Sequence, residues 1–219
     1  MLVRGINTLD MRLRELQTIN EMAKNGTVID SVQGPITQDQ LEQWLDEYGI
    51  DVDEFNITDG RLNILTDFTL EDSDNKVSQI PVPLGKIAGD FNASIKPLST
   101  FVNFPLYVEE SVFCYETQIS SFEGLNIECG GNFDLIMNKN LSDFRGIHKH
   151  IRRMNGTFKF DLENIHVGGL GILLIPGVKK IDCGDANISE IFNKYLKTGQ
   201  VLEAQEHLID GGYAYLARV

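Results

Sequence analysis

Apolar residues fall in short, separated clusters along most of this chain, and the spacing between clusters says more than any one of them. Near the N-terminus Leu9, Leu13, Leu16 and Ile19 recur at helical spacing. They predict a helix over 7–24, with Asn7 or Thr8 as its cap and Asn25-Gly26 as its stop. A second helix starts at Thr37, carries Leu41, Trp44 and Leu45 on one stripe, and stops at Gly49. Beyond it, Phe55-Asn56-Ile57-Thr58 and Arg61-Leu62-Asn63-Ile64-Leu65 flank Asp59-Gly60, a pair that favours a tight hairpin turn.

From there the pattern becomes periodic. Leu98-Ser99-Thr100-Phe101, Ile119-Ser120-Ser121-Phe122 and Leu141-Ser142-Asp143-Phe144 align, with phenylalanines 21 and then 22 residues apart. A second landmark keeps the same register: Gly89-Asp90-Phe91, Gly131-Asn132-Phe133 and Gly156-Thr157-Phe158, with Val112 filling the slot between the first two. The steps are 21, 21 and 25 residues. One unit of about twenty residues supplies a short strand and a return segment. Such a unit cannot bury its own apolar face, so neighbours must stack and turn each landmark into a rung of one core. Four units over 77–162 are expected, the last enlarged by Ile147-His148-Lys149-His150-Ile151-Arg152-Arg153. Insertions in solenoids map to one face, often the binding face.

The tail changes character. Ile172-Leu173-Leu174-Ile175, bounded by glycine and proline, suits a buried strand or a short helix, and Val178-Lys179-Lys180-Ile181 resumes a strand pattern. Asn187-Ile188-Ser189-Glu190 resembles a capping box that opens a helix ending at Gly199, and a further helix follows from Gln200 to Ile209. The predicted organisation is therefore an N-terminal extension (1–34), an acidic helix plus hairpin (35–76), a repeat stack (77–162) and a C-terminal cap (163–219).

Charge refines this picture. The chain has 219 residues, and 32 acids against 19 bases give it a net charge of −13, which argues against non-specific nucleic-acid binding. The charge is uneven. Twelve acids and one base lie between Asp39 and Asp74, whereas Arg145, Lys149, Arg152, Arg153 and Lys159 form a run of five bases without an acid. Cys114, Cys129 and Cys183 are odd in number and lack a C-x-x-C pair, so they read as buried thiols in a reducing compartment. No run of 18 apolar residues predicts a membrane span, and Met1 to Asn25 lacks the apolar centre of a signal peptide.

Candidate chemistry is sparse. Asp51, Asp53, Glu54 and Asp59 lack the glycine that a calcium loop of the EF-hand type needs. His148 and His150 would share a face on a strand and could ligate a metal, but they read as histidines of an exposed basic loop. Ser99, Ser120, Ser121 and Ser142 fall at repeat positions and read as turn formers. Gly168-Gly169-Leu170-Gly171 lacks the Lys-Ser/Thr of a phosphate loop and reads as a hinge. No catalytic set, cofactor or metal is expected.

Two features together resemble a known family. Gly-Gly-Asn-Phe repeats spaced by Leu-Ser-x-Phe are similar to the leucine-rich-repeat-like proteins of large tailed bacteriophages. So are Ile147-His148-Lys149-His150-Ile151, the stretch Leu170 to Lys180, Ile191-Phe192-Asn193-Lys194-Tyr195-Leu196 and Ala204 to Asp210. The similarity spans roughly 80 to 219, with sparser leucines than usual and Val112 where phenylalanine is the rule. The resemblance implies an α+β fold: a short leucine-rich-repeat-like β-solenoid with a helical N-terminal cap and a mixed, mainly helical C-terminal cap. It also implies a setting, the cytoplasm of an infected bacterium or the virion.

The expected function is stoichiometric binding of a host or phage protein, in defence evasion or host takeover. Exposed aromatics and arginines carry most interface energy. The candidate contact residues are accordingly His148, Lys149, His150, Arg152, Arg153, Phe104, Tyr107 and Tyr115. Three alternatives use other features: a virion or internal head component addressed by the basic helix Met1–Lys24, a DNA mimic using 39–74, and a nucleic-acid binder using 145–159. The oligomeric state is left open.

Overall fold

The computed structural model describes residues 45–46, 54–70, 78–94 and 97–219. The helix expected over 7–24, most of that at 37–49 with Trp44, and much of the acidic run 39–74 lie outside these residues. Within them, Leu45 and Asp46 are helical and Leu45 is buried.

Two six-stranded sheets wind around one core as a β-solenoid of about five turns. The first runs in the order β1-β2-β4-β6-β8-β10 and the second in the order β12-β11-β9-β7-β5-β3. The first sheet comprises β1 (Phe55–Thr58), β2 (Arg61–Ile64), β4 (Leu84–Ile87), β6 (Tyr107–Val108), β8 (Ile127–Cys129) and β10 (Ile151–Met154). The second comprises β3 (Phe68–Thr69), β5 (Phe91–Asn92), β7 (Val112–Phe113), β9 (Phe133–Asp134), β11 (Thr157–Lys159) and β12 (Lys180–Asp182). The chain alternates between the sheets, so neighbouring rungs are parallel. Among the described residues only β1 and β2 pair antiparallel, joined by Asp59 (φ 53°) and Gly60 (φ 72°), the left-handed pair a tight hairpin needs.

The two landmarks of the repeat become two columns of the core. Phe68, Phe91, Val112, Phe133, Phe158 and Ile181 stand in register across the second sheet. Phe101 and Phe122 stack at 6.0 Å, and Phe144 meets Phe122 edge-on at 5.1 Å. Val112 interrupts the phenylalanine column, and the edge of Phe104 packs against Phe91 at 5.2 Å in that region. Burying a column of rings in this way is the main source of stability, because removing one large core side chain costs about 3–5 kcal/mol.

A polar ladder runs beside the apolar ones. The Asp90 N–H donates to Asp67 Oδ1 (2.8 Å), Ser111 N–H to Asp90 Oδ1 (2.8 Å), Asn132 N–H to Ser111 Oγ (3.2 Å) and Thr157 N–H to Asn132 Oδ1 (2.8 Å). Each short polar side chain at the corner thus satisfies the backbone of the next rung. This explains the glycine of the Gly-x-Phe landmark. A Cβ on Gly156 would lie 2.6 Å from the Gly131 carbonyl and 2.7 Å from Asn132 Oδ1, where no carbon fits. The stack also extends past 77–162 at both ends, with β2 as its first rung and β12 as its last.

The C-terminal end of the stack is closed by two helices, α1 (Ala186–Thr198) and α2 (Val201–Asp210). Asp185, not Asn187, caps α1. Its carboxylate accepts from the Ile188 N–H at 2.9 Å, because the left-handed Gly184 sets Asp185 extended and leaves Asn187 already inside the helix. Asn193 on α1 replaces the missing next rung: its Oδ1 accepts from Ile181 N–H (2.8 Å) and its Nδ2 donates to Ile181 O (2.7 Å). The apolar run before Pro176 is a 3-10 turn, Leu170–Leu174. Gly168 and Gly169 ahead of it are packed on both sides. A Cβ on Gly168 would meet Arg145 N at 2.5 Å, and the Gly168 N–H donates to Tyr215 O.

Candidate interaction surface

Strand periodicity places every second residue of the first sheet outward. Ile87, Val108, Cys129 and Met154 are buried, and the residues beside them form an outward row of Lys86, Tyr107, Glu128 and Arg153, one per rung. Tyr107 is 37% exposed, the largest outward aromatic of this row. The Lys86 ammonium sits 5.6 Å above its ring and 2.7 Å from the Glu109 carboxylate, whose hydrogen bond raises the lysine above its ordinary value.

The row ends in an irregularity. The register of β10 against β8 slips between Ile151 and Arg153, which puts two successive residues, Arg152 and Arg153, on the outside while Ile151 and Met154 stay buried. Bulges of this kind re-aim side chains and are common beside functional sites. The Arg152 guanidinium lies 3.5 Å from Glu128 and donates to Leu106 O at 3.2 Å, so it lies across two rungs. Arg153 makes no ion pair among the described residues.

The run of five bases does not form one patch. Arg145 is held by Asp143 at 2.6 Å, an interaction that keeps the Asp143 carboxyl below the usual range. Lys159 projects from the second sheet and pairs with Asp134 at 3.3 Å. With Arg152 on Glu128, three of the five are neutralised internally. Lys149 and Arg153 remain without a partner among the described residues.

No family model, curated protein or solved structure matches this chain.

Of the eight candidate contact residues, the fold brings Tyr107, Arg152 and Arg153 onto one face. Phe104 leaves the set: it is 4% exposed, wedged edge-on between Phe91 and Phe101. Tyr115 follows β7 and lies half-buried beyond the second sheet, its N–H donating to Ser94 Oγ. His148, Lys149 and His150 occupy the corner leading into β10: His148 and Lys149 lie in a 3-10 turn over Ile147–Lys149 and His150 caps its end, so the two histidines are half-buried, neither on a strand nor in an exposed loop, while Lys149 is exposed. His150 stacks over Phe122 at 6.2 Å with Nδ1 3.2 Å from Leu125 O, and His148 Nδ1 is buried. Among the described residues no group of three His, Cys, Asp or Glu side chains could hold a metal.

The thiols are equally constrained. Cys114, Cys129 and Cys183 are free and buried. Burial pushes Cys129 up to about 11 and raises the other two, so none is a thiolate nucleophile at neutral pH. No helix among the described residues is long and apolar enough to cross a membrane. Sequence reasoning missed Lys86, Glu109 and Glu128 on the arginine face. The signal was there: Lys86, Tyr107, Glu128 and Arg153 follow the same steps of 21, 21 and 25 residues as the Gly-x-Phe landmark.

Proposed function

We propose that this chain is a non-enzymatic bacteriophage protein of the leucine-rich-repeat-like kind, which binds a host defence or takeover target stoichiometrically through the outward face of its first sheet. The supporting observation is the bulge that turns Arg152 and Arg153 outward together, at the end of a row that also displays Tyr107. Arginine and tyrosine are the residue types that dominate interface hot spots, and parallel rungs hold them in fixed register on a rigid surface. The repeat motifs and the C-terminal segments, which resemble phage leucine-rich-repeat-like proteins, support the setting. Internal pairing of Arg145, Arg152 and Lys159, together with the charge of −13, argues against nucleic acid as the partner.

Affinity capture from host lysate tests this reading, with wild type compared with Arg152→Glu/Arg153→Glu. One protein retained in about equimolar amount by the wild type and lost by the folded variant is the expected result. A partner retained equally by both, or none at all, counts against it.

A further inference from the structure

The repeat stack meets the C-terminal helices at a seam. The 3-10 turn Ile147–Lys149 packs there against the 3-10 turn Leu170–Leu174. Ile147 and His148 both reach Gly171 there, His148 more closely. The His148 Nδ1 lies 3.1 Å from where a Cβ on Gly171 would stand, so the ring rests on the bare glycine backbone. That nitrogen is buried and has no hydrogen-bond partner among the described residues.

We propose that this seam is an acid-released latch, with His148 as the group that senses the proton. In the neutral ring the buried Nδ1 is an unused acceptor, a tolerable cost. Protonation places an N–H in the same spot without an acceptor, and a buried unpaired donor carrying part of the charge costs more than a buried unpaired lone pair, although the rest of the half-buried ring still reaches solvent. The surroundings add to this. Lys149 and His150 flank the ring, β10 packs on the same turn and carries Arg152 and Arg153, and the turn Leu170–Leu174 has no titratable side chain. No carboxylate forms an ion pair with His148 among the described residues. Burial first, then Lys149 and His150, hold it below its ordinary value.

His150 is built the other way. Its Nδ1 already faces the Leu125 carbonyl, so a protonated His150 keeps its place. The two histidines of the H-x-H therefore differ in what a proton does to them.

The turn Leu170–Leu174 is also where the C-terminal cap is fastened. The Gly168 N–H donates to Tyr215 O at 2.9 Å and the Leu170 N–H to Leu216 O at 3.1 Å, and Leu216 is fully buried. Expelling the His148 ring loosens this turn and, with it, the seat of the last residues. The sign follows from proton counting. The folded state binds fewer protons at His148 than the unfolded state, so stability falls as pH drops through the ordinary histidine range near about 6.5 and levels off below the folded value.

Hydrogen exchange at the Gly168 and Leu170 amides, corrected for intrinsic rate, tests this between about pH 7.5 and about pH 5. The amides of Leu84 and Val112, bonded to Asn103 and Asn132 carbonyls within the stack, serve as references. Wild type is expected to lose about threefold or more of its protection at Gly168 and Leu170 relative to the references. His148→Met, which cannot take a proton, should hold protection within about twofold, while His150→Gln should still lose it. Unchanged protection in wild type, or a loss that persists in His148→Met, overturns the proposal. Should His148→Met fail to fold, NMR titration of wild type decides: His148 must titrate below the ordinary histidine value and together with the Gly168 and Leu170 amides. Titration of His148 that leaves those amides unmoved also overturns it.

Discussion

Replacing Asn193 by alanine opens the last edge of the second sheet. The Asn193 amide accepts from Ile181 N–H at 2.8 Å and donates to Ile181 O at 2.7 Å and to Ser189 O at 2.6 Å. It thereby imitates the backbone of a further rung at a residue that is 0% exposed. Truncation orphans one buried N–H and one carbonyl lone pair of β12. Each orphaned group costs about 1–3 kcal/mol, less where water reaches it, so the loss should be about 2–4 kcal/mol. In a chain of this size about 1 kcal/mol moves Tm by roughly 2–4 °C, so a fall of roughly 5–15 °C is expected. Asn193→Asp should be worse than alanine, because a carboxylate oxygen then faces the Ile181 carbonyl. Asn187→Ala, on the exposed side of the same helix, should stay within about 0.5 kcal/mol of wild type. Urea titration followed by circular dichroism measures all three. A loss below about 0.5 kcal/mol for Asn193→Ala, or an aspartate variant as stable as wild type, would refute the view that this amide closes the sheet.

Other consequences are direct. Gly156→Ala forces the corner of β11 away from the preceding rung and should cost about 2 kcal/mol or more in urea titration. Met137, 55% exposed, holds a left-handed φ of 61°; Met137→Gly should gain about 0.5–1 kcal/mol in a thermal melt while Met137→Ala gains nothing. Iodoacetamide at about pH 8 should label none of the cysteines in the native protein and all three in urea, read by mass shift, because the native thiols are buried and held protonated.

Much of this fold was legible because a solenoid repeats its physics. Phe91, Val112, Phe133 and Phe158 stand in line because the spacing that reveals them also stacks them, and Asp59-Gly60 turns a hairpin for local reasons alone. A third landmark was hidden. Asn103, Gly124 and Gly146, each two residues past an aligned phenylalanine, all take left-handed conformations, but asparagine at the first of them masked the glycine pattern. The candidate surface was less legible for a different reason. Neighbours in sequence diverge in a solenoid: Arg145, Arg152 and Lys159 point to different partners on different sides. Residues 21 apart converge instead, which is how Lys86 meets Tyr107. Phe104 reads as an exposed aromatic in the sequence, yet its ring packs edge-on against Phe91 and Phe101 in the core. The capping-box pattern at Asn187-Ile188-Ser189-Glu190 masks Asp185, two residues earlier, as the cap of α1.

Site-specific photocrosslinking reports which sheet meets the partner. A photoreactive side chain is placed in turn at Lys86 and Tyr107 on the first sheet and at Thr69 and Lys159 on the second, and each protein is irradiated in host lysate. Binding through the first sheet gives one crosslinked host protein, of the same mass at both first-sheet positions and absent from the other two. Crosslinking from the second sheet alone, or equal crosslinking to many proteins from all four positions, would contradict it.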